Sequence, residues 1–346
     1  MAARSSSTDA RAWTGTANGR GRWWRDRPDR DRPRPVRGAA SYRGRPWRPA
    51  CLVDAFTDEP LRGNAAGVVP DAAGLTDEQM GAVARELGAS ETAFLLPAED
   101  ADADRRVRYF TPETEVDLCG HATVGSHALL YADGVIEAGT HDLETNVGVL
   151  GIEVEAGGRV WMTQSEPEIR EVEVDYGRLG SALGIDPAAL RDVGAHLPVA
   201  YASTGLPFLV VPVNFLEHVG NADPDMGAIE QLSDEFGVAG VYAFTFDTLN
   251  GDSTLHARMF APGAGVPEDP VTGTASGAAG AYLDRFGAID TGSMRFEQGQ
   301  FLDRGGVVHV EVGGAGEGVR VGGEAVVSLE GRLFVPAAAD DDILEA

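Results

Sequence analysis

The sequence predicts a mixed α/β (α+β) fold of two pseudo-symmetric domains, produced by internal duplication and facing each other across a cleft. Three observations carry this. Arg108-Tyr-Phe-Thr-Pro112 matches Arg258-Met-Phe-Ala-Pro262, 150 residues later. CGHATVGSHALL (119–130) aligns without a gap onto TGTASGAAGAYL (272–283), at an offset of 153. Around both matches, apolar strand-like runs alternate with runs of helical spacing. One match could be chance; two in the same order, each at a strand–loop–helix, argue for a duplicated unit. The three extra residues of the second copy fall in GAGVPEDPV.

The first copy opens with ACLVDAF (50–56), a turn at TDEPLRGN and a second strand, AAGVV. Thr76 and Gln79 form a capping box, with Met80, Val83, Ala84 and Leu87 at helical spacing and Gly88 as terminator. SETAFLLP and RVRYFTP read as strands, and the helix from Cys119 ends at Gly134. HDLETNVGVLGIEVEAG and RVWMTQ are predicted as two strands, and SEPEIREVEVD as a crossing linker. The second copy has a helix at YGRLGSALGI, strands at PVAYASTG and PFLVVPV, and a helix near DPDMGAIEQLSDEFG. GVYAFTFD and STLHARMFAP follow, then a Gly/Ala-rich helix from Thr274 and closing strands near MRFEQG, GVVHVEV and GVRVGGEAVVSLEGRLFVP. The expected boundaries are 50–165 and 166–336.

Residues 1–49 differ in kind, with 13 arginines against four aspartates and neither helical nor strand periodicity. No apolar stretch follows the basic one, so it is not a secretory signal. It reads as a disordered basic arm or, the preferred expectation, an over-extended start. The tail 337–346 is expected to fray. All 28 basic residues are arginine, and net charge is −26. Beyond residue 49 the acidic excess predicts a salt-loving host and excludes nucleic acid as a partner of the body. No apolar run reaches membrane-span length. Cys51 and Cys119 make no disulfide framework, so a reducing cytoplasm is expected.

Gly120 and Gly273 occupy equivalent positions at two helix starts. A glycine there lets a ligand approach bare N–H groups, and the helix dipole favours an anion. Two such starts facing one cleft suit a small carboxylate-bearing substrate, unless the glycines serve helix packing alone. Ser90, Glu91, His121, Glu268 and Asp269 are the polar groups nearby. Glu91 stands in an apolar run, so desolvation should raise its proton affinity toward the range useful in acid/base work. The alternatives are a salt-bridged strand end for Glu91 and a self-capping side chain for His121. A metal is not expected: His121 and His127 are six apart, off the one-face helical spacing. No G-x-S-x-G elbow or P-loop is present, and GGAGEG (313–318) opens no helix after a strand, so no dinucleotide cofactor is expected.

LVDAFTDEPLRGNAAGVV, SETAFLLP, RYFTPETEVDLCGHATVGSHAL, STGLPFLVVPV and MFAPGAGVPEDPVTGTASG, in this order, resemble the PhzF-like family of phenazine biosynthesis. The resemblance runs from about residue 50 to 335. It implies a diaminopimelate-epimerase-like fold, each domain a mixed sheet wrapped around a central helix, in a cofactor-free and usually homodimeric isomerase. It carries the catalytic roles onto Glu91, His121 and Asp269, and substrate contacts onto Gly120, Gly273 and Thr274; Ser90, beside Glu91, is a further expected substrate contact. Glu91 would take a proton from an activated carbon and return it to another. The related racemases use paired cysteines, whereas Cys119 faces Thr272 in the duplicate alignment, so Cys119 is expected to be inert. A one-cysteine dehydratase or racemase acting on a proline-like acid, and a non-catalytic small-molecule binder, are the competing readings.

Overall fold

The computed structural model describes residues 47–193, 197–290, 292–313 and 318–336; the basic arm up to residue 46 and the tail 337–346 lie outside them. The first run of elements is β1 (Trp47–Ala55), β2 (Asn64–Val69), α1 (Asp77–Leu87), β3 (Thr92–Leu96), β4 (Arg105–Phe110), β5 (Glu115–Val116), α2 (Gly120–Ala132), β6 (Gly139–Thr145), β7 (Gly148–Val154), β8 (Val160–Thr163) and β9 (Glu168–Glu171). Next come α3 (Tyr176–Leu183), α4 (Pro187–Arg191), β10 (Ala200–Ser203), β11 (Pro207–Pro212), α5 (Leu216–Gly220), α6 (Met226–Phe236), β12 (Gly240–Thr245) and β13 (Leu255–Ala261). The chain closes with β14 (Val266–Asp269), α7 (Gly273–Arg285), β15 (Ser293–Gln298), β16 (Gly306–Val312), β17 (Val319–Gly323) and β18 (Ala325–Phe334).

Sixteen strands form one hydrogen-bonded series: β18-β1-β2-β3-β4-β6-β7-β8-β17-β16-β15-β13-β12-β11-β10-β9. The order reads the same from either end if β1–β9 are exchanged with β10–β18. The directions repeat as well: β2–β3 and β4–β6 are parallel, as are β11–β12 and β13–β15, and every other pair is antiparallel. The short strands β5 and β14 add antiparallel to β4 and β13. This pattern is consistent with duplication. The halves also trade their last strands, since β9 pairs with β10 and β18 with β1.

Three differences from the sequence expectation have local causes. HDLETNVGVLGIEVEAG is a hairpin, β6–β7, turned at Asn146-Val147 by Gly148 at φ 116°; Leu143, Thr145, Val147 and Val149 carry the alternation through the turn, and it changes phase only at Val149-Leu150, which hides the reversal. SEPEIREVEVD holds β9, because the open edge of β10 recruits it. Trp47, Arg48 and Pro49 belong to β1, facing Phe334, Leu333 and Arg332, rather than to the arm.

The sheet residues alternate between two sets of neighbours. On β12, Tyr242 and Phe244 join the cluster that packs on α2 and α7, while Val241 and Ala243 face the cluster under α3, α4 and α6. On β3, Ala93 and Leu95 point inward and Phe94 outward, under α1. Helix α1 has the predicted capping box: Thr76 Oγ1 accepts from Gln79 N and Gln79 Oε1 from Thr76 N. Helices α2 and α7 are buried on all sides, from Ala122 to Leu130 and from Ala275 to Leu283 without a break. A helix of that kind is a core element, and its start is the natural place for a site. Among the described residues no helix is long and apolar enough to cross a membrane.

Candidate active site

The two buried helices begin close together. A methyl group built on Gly120 would lie 3.9 Å from Thr274 Oγ1, and one on Gly273 would lie 3.0 Å from the ring of Phe56. Phe56 itself holds a left-handed backbone (φ 65°), which a residue with a side chain adopts only against a cost. The N-cap residues Cys119 and Thr272 make no side-chain capping bond. First-turn N–H groups that no cap occupies are free to meet a ligand. Thr274 is fixed from its backbone: Thr204 Oγ1 donates to its carbonyl at 3.4 Å.

His121 does not cap its own helix. Its ring lies with Nε2 3.4 Å from Glu91 Oε2 and 3.4 Å from Ser90 Oγ, and with Nδ1 3.4 Å from Cys119 Sγ. Glu91 is held at the corner before β3, where its carbonyl accepts from Gly67 N at 2.9 Å. Its side chain keeps 22% of its exposure. It therefore stands at the rim, and the burial that matters for proton affinity acts on another carboxyl, the half-buried Asp269. Burial pushes Asp269 above the usual carboxylate range, with the Glu91 charge adding to the effect and His121, Thr272 and Asn64 opposing it. Burial likewise pushes the Cys119 thiol well up, helped by the Glu91 and Asp269 charges. Such a thiol stays protonated and is a poor base.

Three residues that sequence reasoning did not single out organise Asp269. Asn64 Nδ2 donates to Asp269 Oδ1 at 2.8 Å and to the Val271 carbonyl at 2.9 Å. Thr272 Oγ1 donates to Asp269 Oδ2. Gln298 Nε2 donates to the Asp269 carbonyl at 2.7 Å and to Thr272 Oγ1 at 3.3 Å. Asn64 is 3% exposed, and such a buried amide needs partners; a buried polar residue at a strand start is the one sequence signal it offers. Every predicted site residue thus falls around one locus: Ser90, Glu91, Gly120 and His121 from the first half, and Asp269, Gly273 and Thr274 from the second. Glu268 is turned away, taken by Arg258 through two bonds of 2.7 and 2.8 Å. His127 is buried within α2 and donates from Nδ1 to the Thr123 carbonyl at 3.0 Å.

The donor atoms of Glu91, Cys119 and His121 lie within 4.8 Å of one another, a grouping that could hold a metal ion. Helix spacing between histidines does not reveal it, because Glu91 arrives from the corner before β3 rather than from the helix.

Comparison with known proteins identifies the family. The family model described as phenazine biosynthesis-like protein (PhzC-PhzF) matches residues 53–331. The uncharacterised isomerase YfhB of Bacillus subtilis is 39% identical, over 80% of this chain and 94% of its own. The trans-2,3-dihydro-3-hydroxyanthranilate isomerase of Pseudomonas aeruginosa is 30% identical, over 82% of this chain and 98% of its own. The crystal structure of a PhzF-family phenazine biosynthesis protein from Bacillus anthracis superposes with a TM-score of 0.76 at 34% identity, covering 84% of this chain and all of that one. With the matched segment spanning β1 to β18 and the site residues gathered where two helix starts meet, the chain belongs to the PhzF-like phenazine biosynthesis family, as an isomerase.

Proposed function

We propose that the protein moves a proton between two carbons of a small substrate bearing amino and carboxylate groups, with Glu91 as carrier and without a cofactor. The observation that carries this is the Glu91 carboxylate, 3.4 Å from His121 Nε2 and beside two uncapped helix starts. The N–H groups at Gly120 and Gly273 seat the substrate carboxylate. Ser90 and Thr274 add hydroxyls at the rim. Glu91 takes a proton from a carbon acidified by conjugation and returns it further along the same system. His121 orients Glu91 and bears part of the charge that shifts during transfer. Asp269, closer to its neutral form than a surface aspartate, faces the substrate's amino or hydroxyl group. The relative from Pseudomonas aeruginosa is named for trans-2,3-dihydro-3-hydroxyanthranilate, an amino-bearing carboxylate, and a compound of that class fits this seat.

The test is solvent-deuterium incorporation into that compound and its close analogues. The wild type should exchange a carbon-bound hydrogen. Glu91→Gln should slow exchange by roughly 10²–10⁴-fold while binding the compound as before. Full exchange in Glu91→Gln would refute the assignment.

A further inference from the structure

We propose that Glu91, Cys119 and His121 form a binding site for one thiophilic divalent cation, Zn²⁺ being the type, which excludes substrate while bound. The argument begins with distances. Zinc takes sulfur at about 2.3 Å and nitrogen or oxygen at about 2.0–2.2 Å, so tetrahedral ligands stand about 3.3–3.6 Å apart. His121 Nε2 lies 3.4 Å from Glu91 Oε2 and 4.0 Å from Cys119 Sγ. The three donor atoms lie within 4.8 Å of one another; Sγ stands nearer Nδ1, at 3.4 Å, so the thiol has to turn toward Nε2 for one sulfur, one imidazole nitrogen and one carboxylate oxygen to surround a common point. The fourth position opens toward Ser90 Oγ, 3.4 Å from the same nitrogen, and is left to water. Three protein ligands and one open position are a coordination that zinc accepts.

The surroundings favour a cation. Cys119 feels the negative charges of both Glu91 and Asp269, and the chain carries −26 overall. Binding exchanges one bond for another: the Cys119 S–H proton leaves to solvent, sulfur bonds the metal, and no electron is transferred. Among the described residues the second half offers no such set. Cys119 and His121 correspond to Thr272 and Thr274 at the offset of 153, so one ion per chain is expected. The binding claim stands without the proton-transfer reading. Exclusion of substrate rests on that reading, because the ion would occupy the carboxylate assigned to proton transfer.

Co²⁺ serves as the probe, since cobalt–thiolate bonds give a near-ultraviolet charge-transfer band. The untagged full chain, reduced and stripped with a chelator, should develop that band with one equivalent of Co²⁺ and lose it to Zn²⁺. Cys119→Ala, its fold checked by thermal unfolding, should show no band. If that variant does not fold, Glu91→Gln and His121→Gln both keep the thiol and should weaken Co²⁺ binding by roughly tenfold or more. No band in the wild type, a band that survives in Cys119→Ala, or unchanged affinity in both other variants overturns the site. The isomerase reading is judged separately, by deuterium exchange in metal-free Glu91→Gln.

Discussion

In the first half, Arg108 grips Glu115 through two bonds of 2.7 and 2.5 Å. In the second, Arg258 grips Glu268 in the same way. Glu144 at the end of β6 accepts the N–H groups of Glu99 and Asp100 and pairs with Arg106. Glu297 at the end of β15 accepts those of Leu249 and Asn250 and pairs with His256. Each of these correspondences runs at 150 residues before the helix loop and 153 after it. The bonds that shape loops and strand ends are therefore common to both halves. The chemistry is not. His121 faces Thr274, and Cys119 faces Thr272. By strand register Glu91 corresponds to Gly240, where a methyl group would lie 2.3 Å from the Phe260 carbonyl. Asp269, in turn, corresponds to Val116. The proposed proton carrier, Glu91, sits in one half, and Asp269, whose carboxyl feels its charge, in the other, so the locus draws on both.

The largest effect that sharpens this comparison separates the two Arg–Glu pairs. Arg258 also donates to the carbonyls of Val219 and Ala222, both at 3.0 Å. Arg258→Met should cost roughly 3–5 kcal/mol, because it leaves a carboxylate only 12% exposed and two carbonyls unpaired. Arg108→Met should cost roughly 1–2 kcal/mol, since its second partner, Asp77, is mostly exposed. Urea unfolding of both variants gives the ranking, and the reverse order would break the view that the second half is the more deeply tied.

The next effect belongs to the first half. His127 corresponds to Gly280, where a methyl group would lie 2.5 Å from Val310, so the second half has neither the room nor the titrating group. Burial pushes His127 down to about 4 from 6.5, and its Nε2 has no partner. A depressed base favours folding above its unfolded pKa. About 3 kcal/mol should therefore be present above pH 6.5 and lost as pH falls toward 4. His127→Leu should flatten the stability curve in that window.

Two smaller effects concern the contact across the halves. Asn64→Leu removes the donor to Asp269 and should lower kcat roughly 10–100-fold with a smaller change in KM. Asp269 loses a bond that favours its charged form, so the limb of the pH profile that it governs should move to higher pH. Asp269→Asn removes a carboxyl whose folded pKa is raised. The wild type is penalised as pH rises through that raised value and the variant is not, so inactive Asp269→Asn should gain about 2–4 °C in Tm at neutral pH. A Tm below wild type would show that the bonds from Asn64 and Thr272 outweigh the burial cost.

How much of this was legible in the sequence follows from the range of each interaction. Strand–loop–helix units are local, and Arg108, Pro112, Arg258 and Pro262 mark them at a fixed offset, so the repeat and the two helix starts were readable. The family resemblance added Glu91, His121 and Asp269. Asn64 and Gln298 were not readable, because Asn64 acts on a carboxylate 205 residues away and Gln298 on a hydroxyl 26 residues back. Nor was the meeting of Cys119 with Glu91, which depends on β3 lying beside the start of α2. The β6–β7 turn was lost for a different reason: alternation persists through it, and periodicity reports faces, not chain reversals.

The traded strands carry one more consequence. β9 closes the edge of β10 and β18 closes that of β1, so each half ends in a strand that it does not itself use. A half-length chain would have an open edge and a spare strand, the two features that two copies satisfy in one another by reciprocal exchange. In its strand pairing the present chain is equivalent to such a pair with its partners joined end to end, and joining them leaves the two helix-start loops free to differ, as Cys119 and His121 differ from Thr272 and Thr274.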